Sequence, residues 1–269
     1  MNEEESKALS INAERSKISL EDNASDKAAV VLKGLLGTVP VVGSILQEAV
    51  GVVIPNQRID RVALTMECFA QKVGYIEEDV LRLKMLSEEF TDLLQDAIPQ
   101  AARSLSEERR EYIASFLKNS LTSEELDHVH EKKLLSILGE LNDAEIIFLR
   151  YESLRPHERD DFFEQHRVVL APVPAAIGSP RSEHDKNALR SSFQGKLIEL
   201  GLLGRKFVKP QAGKMPEMDE NTGMLKTQYP ELTQLGRALL RYIDQPASSD
   251  REYDEFLAQK QRIAESKQS

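Results

Sequence analysis

The chain has 269 residues, 30% of them charged, a formal net charge of −10 and a single cysteine, Cys68. That length supplies two domains with ordinary cores, and one cysteine excludes an internal disulfide and fits a reducing compartment. The acidic balance excludes bulk affinity for nucleic acid, since phosphate binding draws on clustered Lys and Arg, so any such contact must come from a local basic patch.

Residues 1–25 are polar, carry mixed charge and show no sustained apolar face, the pattern of a mobile tail. Met1 to Ser10 lacks the basic region and apolar core of a secretory signal, so a cytoplasmic location is expected, with membrane association left open. From Ala28 to Pro55 the chain reads AAVVLKGLLGTVPVVGSILQEAVGVVIP, and charge nearly disappears. A membrane-spanning helix needs about 20 consecutive apolar residues. Here Lys33, Gln47 and Glu48 leave about thirteen, interrupted by Pro40, which removes a backbone donor and restricts Val39. The segment predicts a hairpin, with helices over Asp26–Thr38 and Val41–Ile54. Two readings stay open, a buried core element or a hairpin that enters a bilayer conditionally. In the second, Val31, Leu35, Leu36, Val41, Val42, Ile45, Leu46 and Val50 form the inserting surface.

Pro55-Asn56 then offers a helix start. Apolar residues follow at Ile59, Val62, Met66, Phe69, Val73, Ile76, Val80 and Leu83, alternating three and four apart as a heptad seam. The seam continues through Leu86, Phe90, Leu93 and Ala97 after one step out of phase near Leu83. A single helix over 56–97 would be about 60 Å long, with bends expected at Gly74 and near Ser87. Its partner is the apolar hairpin, the next helices or a second copy of the chain, the last making the seam an oligomer contact. Pro99 interrupts the pattern. A new helix starts near Ser104 or Ser106, where Ser104 and Glu107 match a capping box, and carries Ile113, Phe116, Leu117 and Leu121. Thr122 with Glu125 gives a second box, followed by Leu126, Val129, Leu134, Leu135 and Leu138. Residues 26–139 read as an all-helical bundle.

Asn142 and Glu145 cap a helix containing Ile146 to Leu149, and Pro156 sits at the first position of a charged helix ending near His166. A short strand is expected at Val168–Leu170, then a Pro-rich connection. From about Ser182 a helix carries Leu189, Phe193, Leu197, Ile198 and Leu200, and it stops at Gly201-Leu202-Leu203-Gly204.

The segments LIELGLLGRKFVKPQ and LKTQYPELTQLGRALLRYI resemble the closing half of the winged-helix domain of MarR-like and PadR-like regulators, over about residues 142–243. The resemblance implies a recognition-type helix with a leucine-rich glycine stop. It implies two strands, at about Lys206–Lys209 and Leu225–Tyr229, flanking a wing, and a last helix opening at Leu232, Thr233 and Gly236. It speaks to fold more than to function. One departure is plain: a helix-turn-helix joins its helices by three or four residues, whereas about fifteen separate His166 from the next helix.

Between Arg181 and Lys214 eight basic residues stand against three acidic ones, a basic stretch in an acidic chain. If the helix over 182–202 enters a DNA groove, Arg190, Ser191, Ser192, Gln194 and Lys196 are the contacts, with Arg181, Lys186, Arg205, Lys206 and Lys209 extending the surface. A partner protein can use the same face. Glu217, Asp219 and Glu220 make the wing tip acidic, against phosphate contact.

Catalytic and metal patterns are thin. His128 and His130 lie two apart and point to different helix faces, and His157 with Asp161 falls short of the three or four ligands zinc takes. GLLGTVPVVGS lacks the lysine of a phosphate loop. Cys68 reads as a packing residue beside Phe69. No cofactor and no enzymatic activity are expected. Past Ile243, Asp244–Asp250 reads as a polar linker, and the winged-helix domain is bounded at 140–246. The terminal 247–269 stretch carries Tyr253, Phe256, Leu257 and Ile263 along one side of a helix, for docking on the bundle or oligomer contact.

The chain therefore reads as mainly α: an N-terminal helical bundle with a long heptad-patterned helix, then a winged-helix domain with a small β-wing. The expected function is regulation by binding DNA or a partner protein, with homo-oligomerisation. The alternative is a membrane-active effector of the cell-death or phage-defence type, inserting through 28–54.

Overall fold

A computed structural model describes residues 56–266 apart from positions 124, 125, 175, 177, 211, 214, 221, 222 and 229. The predicted tail over 1–25 and the apolar hairpin over 28–55 lie outside the described residues, as does Glu125 of the second capping box. No helix among the described residues is long and apolar enough to cross a membrane. These residues are mainly helical, with eleven helices and a two-stranded sheet. The chain divides between Gly139 and Glu140 into two compact units.

The first unit holds α1 (Asn56–Val73), α2 (Glu78–Met85), α3 (Glu88–Arg103), α4 (Glu107–Thr122) and α5 (His128–Glu140). The single long helix over 56–97 does not form. α1 stops before Gly74, whose backbone loses more freedom in a helix than any other residue's, and the Ile76 amide closes a turn on the Val73 carbonyl at 2.9 Å. α3 starts afresh where the Ser87 hydroxyl accepts from the Phe90 amide at 3.2 Å. The expected bends are complete breaks.

Each break resets the helical phase, which corrects the seam. Val62, Met66, Phe69 and Val73 are at most 2% exposed and pack within the unit, where α1 lies against α3 and α4. Phe69 stacks on Phe90 with ring centroids 6.1 Å apart. These four leave no surface for a second copy. Ile59 and Ile76 are half-buried. Val80 and Leu83 are 42% and 75% exposed, while Leu81 and Met85 are the buried residues of α2.

Pro99 does not end its helix. Its missing N–H deprives the Gln95 carbonyl of a donor, at about 3 kcal/mol or more, but the flanking Ala97, Ile98, Ala101 and Ala102 are all buried. Burying Ile98 alone is worth about 1.5–3 kcal/mol, so α3 runs on to Arg103. Ser106 caps α4 by accepting from the Arg109 amide at 3.1 Å, while the Ser104 hydroxyl donates back to the Gln100 carbonyl at 3.0 Å, closing α3. Ile113, Phe116, Leu117 and Leu121 face the core. α5 is capped by Asp127, whose carboxylate accepts from the His130 amide at 3.0 Å; Thr122 is instead the last residue of α4. Leu134, Leu135 and Leu138 are buried, but Val129 is 73% exposed because it lies on the opposite face of the helix from Leu138, while Glu131 carries the buried face into the first turn.

The second unit holds α6 (Asp143–Ser153), α7 (Pro156–Gln165), α8 (Arg167–Leu170), α9 (Arg181–Glu199), β1 (Leu203–Gly204), β2 (Glu231–Leu232), α10 (Gln234–Tyr242) and α11 (Ser248–Ser266). α6 is the hub, with α7, α8, α9, α10 and β2 all packed on it. Its start is fixed by reciprocal bonds: the Asn142 side chain accepts from the Glu145 amide at 2.9 Å and the Glu145 carboxylate from the Asn142 amide at 2.8 Å. Ile146, Phe148 and Leu149 supply the buried face. Pro156 is the first residue of α7.

The strand expected at Val168–Leu170 is a turn of helix. The amides of Val169 and Leu170 bond to the His166 carbonyl at 2.9 and 3.0 Å, and three apolar residues are too few to set a period. β1 and β2 pair antiparallel with Leu203 opposite Leu232. The sheet thus lies closer to the helices than expected, but the expected 206–209 and 225–229 stretches also pair antiparallel: among the described residues Phe207 bridges to Thr227, with the Val208 amide on the Lys226 carbonyl at 3.0 Å and the Gln228 amide on the Lys206 carbonyl at 2.6 Å, and Met218 bridges to Leu225.

The Leu232-Thr233-x-x-Gly236 element is a joint. The Thr233 hydroxyl accepts from the Gly236 amide at 3.0 Å and donates to the Gly201 carbonyl at 2.7 Å. The expected linker over 244–250 is structured: Ala247 and Ser248 are buried, and Asp250 pairs with Arg237 at 3.0 Å.

Candidate functional site

The basic helix α9 divides its charges between two faces. Arg190 points inward: its Nε donates to the Leu170 carbonyl at 2.9 Å, and its guanidinium lies 5.3 Å from the centroid of the Phe148 ring. Lys196 also turns in, 3.3 Å from the buried Glu145 carboxylate and donating to the Glu140 carbonyl. Both side chains fasten α9 to its own unit, one over the hub helix and one at its cap. A second clasp comes from Asn187, whose side chain accepts from the Val173 amide at 3.0 Å and donates to the Val173 carbonyl at 2.5 Å. It holds the Pro-rich connection against the helix.

Arg181, Lys186, Ser191 and Ser192 are exposed, and the Ser192 hydroxyl donates to the Leu189 carbonyl at 2.7 Å. Arg205, Lys206 and Lys209 are exposed on the hairpin that joins β1 to β2, where Lys206 pairs with Glu231 at 3.5 Å. The ten residues expected to form one basic surface are therefore not one surface. Two are anchors, and the rest are spread over a helix and a hairpin.

Gln194 belongs to another feature. Between the C-terminal half of α9 and the hairpin lies a cavity of about 440 Å³, whose lining includes Gln194, Ile198, Arg205, Phe207, Asp219, Met224 and Leu225. Phe207, Met224 and Leu225 are 49%, 56% and 42% exposed. Met215 and Met218 are exposed on the same hairpin. Large apolar side chains gathered on one surface feature are unusual enough to mark a contact site. Sequence reasoning missed them by weighing only the acids of the wing tip; the signal available was three methionines, a phenylalanine and a leucine within 207–225. Glu217 pairs with Lys226 at 3.1 Å, which leaves the wing acid partly neutralised.

The other titratable groups have structural partners. On α3, Asp92 accepts from Lys132 at 2.7 Å and meets His128 at 2.9 Å, and these bonds hold its carboxyl below the usual range. His130 pairs with Asp127 at 2.7 Å. His128 and His130 thus serve different carboxylates. His157 and Asp161 line a separate opening beside Phe162 and Arg251. Among the described residues no group of three or more His, Cys, Asp or Glu could hold a metal ion. Burial, and then the hydrogen bond and charge of Glu111, push the Cys68 thiol up to about 11, which keeps it out of the reactive thiolate form at neutral pH.

Comparison with known proteins gives no assignment, since no family model, curated protein or solved structure matches the chain.

Proposed function

We propose that this chain acts by binding rather than catalysis, and that its second unit is a winged-helix domain that docks a partner protein in the groove between α9 and the hairpin. The observation that carries this reading is the inward use of Arg190 and Lys196. A helix that reads bases needs its central cations on the outer face, and here two of them are committed to Phe148, Leu170 and Glu145. What faces outward at the groove is Phe207, Met224 and Leu225 with Arg205 beside them. Aromatic, methionine and arginine side chains are the residues enriched at protein contacts, and methionine adapts its shape to an incoming apolar group. The occupant is a protein segment presenting one or two large apolar side chains, with a carboxylate placed for Arg205.

Selection of phage-displayed peptides on the full chain tests this. Peptides are expected that still bind the Lys186→Glu variant and are lost on Met224→Asp. The same chain is then titrated with a random-sequence DNA duplex over a salt series, since phosphate contacts weaken steeply with salt. Salt-sensitive DNA binding that disappears in Lys186→Glu with Lys209→Glu, together with no Met224-dependent peptide, would overturn the proposal in favour of a nucleic-acid interface.

A further inference from the structure

The last helix leaves its unit after one turn. Ala247 and Ser248 are buried, Asp250 lies 3.0 Å from Arg237 and 3.5 Å from Arg241, Arg251 reaches Glu158 at 2.5 Å, and Glu252 pairs with Arg155. Yet every residue from 251 to 260 is exposed. A helix of 19 residues fixed at one end is marginal in water, because helical stability in proteins comes mostly from packing one face. α11 has such a face. Tyr253, Phe256 and Leu257 are 61%, 52% and 40% exposed, and their spacing of three and four puts them on one stripe. Lys260 follows in the same stripe, its ammonium 5.1 Å from the Phe256 ring centroid.

We infer that α11 is a self-association element that pairs antiparallel with α11 of a second copy. Lys260 sets the direction. In a parallel pair the two Lys260 side chains meet each other, a like-charge contact within the apolar seam. In an antiparallel pair with Phe256 against Leu257, Lys260 of one copy falls opposite Tyr253 of the other with Asp254 beside it. The cation then gains a ring face and a carboxylate. Charge along the helix agrees: its first half holds Asp250, Glu252, Asp254 and Glu255 against Arg251, and its second half Lys260 and Arg262 against Glu265. Reversal of one copy brings opposite signs together. Val62, Met66, Phe69 and Val73 of the α1 heptad cannot serve instead, being buried in their own unit. A seam of fewer than three heptads on a 19-residue helix makes a weak dimer that forms with rising concentration.

Sedimentation velocity of the full chain over a concentration series is the test. The wild-type protein is expected to move from monomer to dimer. Phe256→Asp should raise the dimer Kd by at least about tenfold without changing the thermal melt, since Phe256 lies outside the core. Lys260→Glu sets an acid against Asp254 and should weaken the dimer, and adding Asp254→Lys should restore it, because the exchanged charges still face each other only when the helices run antiparallel. A protein that is monomeric at every concentration overturns the inference, and if its Phe256→Asp variant also melts earlier, the stripe is covered within one chain instead. A dimer indifferent to Phe256→Asp, or a double variant no better than Lys260→Glu alone, overturns it as well.

Discussion

Gly236 stands so close to Leu202 that a Cβ on it would lie 2.4 Å from the Leu202 carbonyl oxygen. That oxygen also accepts from the Thr233 amide at 3.1 Å, so α10 is pressed onto the end of the glycine stop and neither backbone can yield. Gly236→Ala should therefore destabilise the second unit by about 1–3 kcal/mol, as overpacking does in a filled core. Urea denaturation followed by circular dichroism checks this, and a change within error would show that α10 shifts freely.

Arg190 and Lys186 lie four residues apart on α9 and should respond oppositely to truncation. Arg190→Ala removes a bond to a backbone carbonyl and a cation over Phe148, an expected loss of about 1–3 kcal/mol. Lys186→Ala touches an exposed side chain and should stay within about 0.5 kcal/mol. Thermal melts of both variants decide it. The same contrast governs binding assays: charge reversal at Arg190 reports on folding, whereas reversal at Lys186 reports on the surface.

Glu158 predicts an acid-sensitive latch. The Ser248 hydroxyl, then the Arg155 amide and Arg251, hold its carboxyl down from an ordinary 4.5 to about 2. A depressed folded-state pKa contributes stability that is complete above about 4.5 and lost as pH falls towards about 2. Protection of the α11 first-turn amides from hydrogen exchange should fall through that window. Glu158→Gln should be looser at pH 7 and nearly flat in pH.

Cys68 should be a slow thiol. With its pKa pushed up to about 11 by burial and by Glu111, labelling by a disulfide reagent at neutral pH is expected to lag free cysteine, and Glu111→Gln should accelerate it. Equal rates in the variant and the parent would remove Glu111 from the explanation.

Local chemistry made part of this molecule legible in advance. The mainly helical character and several helix starts could be read from residues that act on their own neighbours: Asn142 with Glu145, Pro156, and Ser106 as one of two candidate caps. What escaped depends on distant partners or on phase. Val80 and Leu83 continue a heptad on paper, but Gly74 and Ser87 restart the rotation, and Leu81 and Met85 take the core. Pro99 breaks a helix by propensity and is overruled by the alanines and isoleucine packed around it. An arginine on a charged helix reads as solvent-facing until Phe148 and Leu170 are brought beneath it. The groove was missed because Phe207 and Met224, seventeen residues apart, come together only when the hairpin closes, and strand spacing says nothing of what its side chains share with α9.

The hub position of α6 also sets an order of events during synthesis. α6 is the first element of its unit to leave the ribosome, while β2 and α10, which pack on it, follow about ninety residues later. α7, α8 and α9 cover part of the Ile146, Phe148 and Leu149 face on the way, but that cover is complete only when Tyr242 has emerged. The second unit therefore completes its core only when its last packed helix is out, and part of its apolar surface stays uncovered until then.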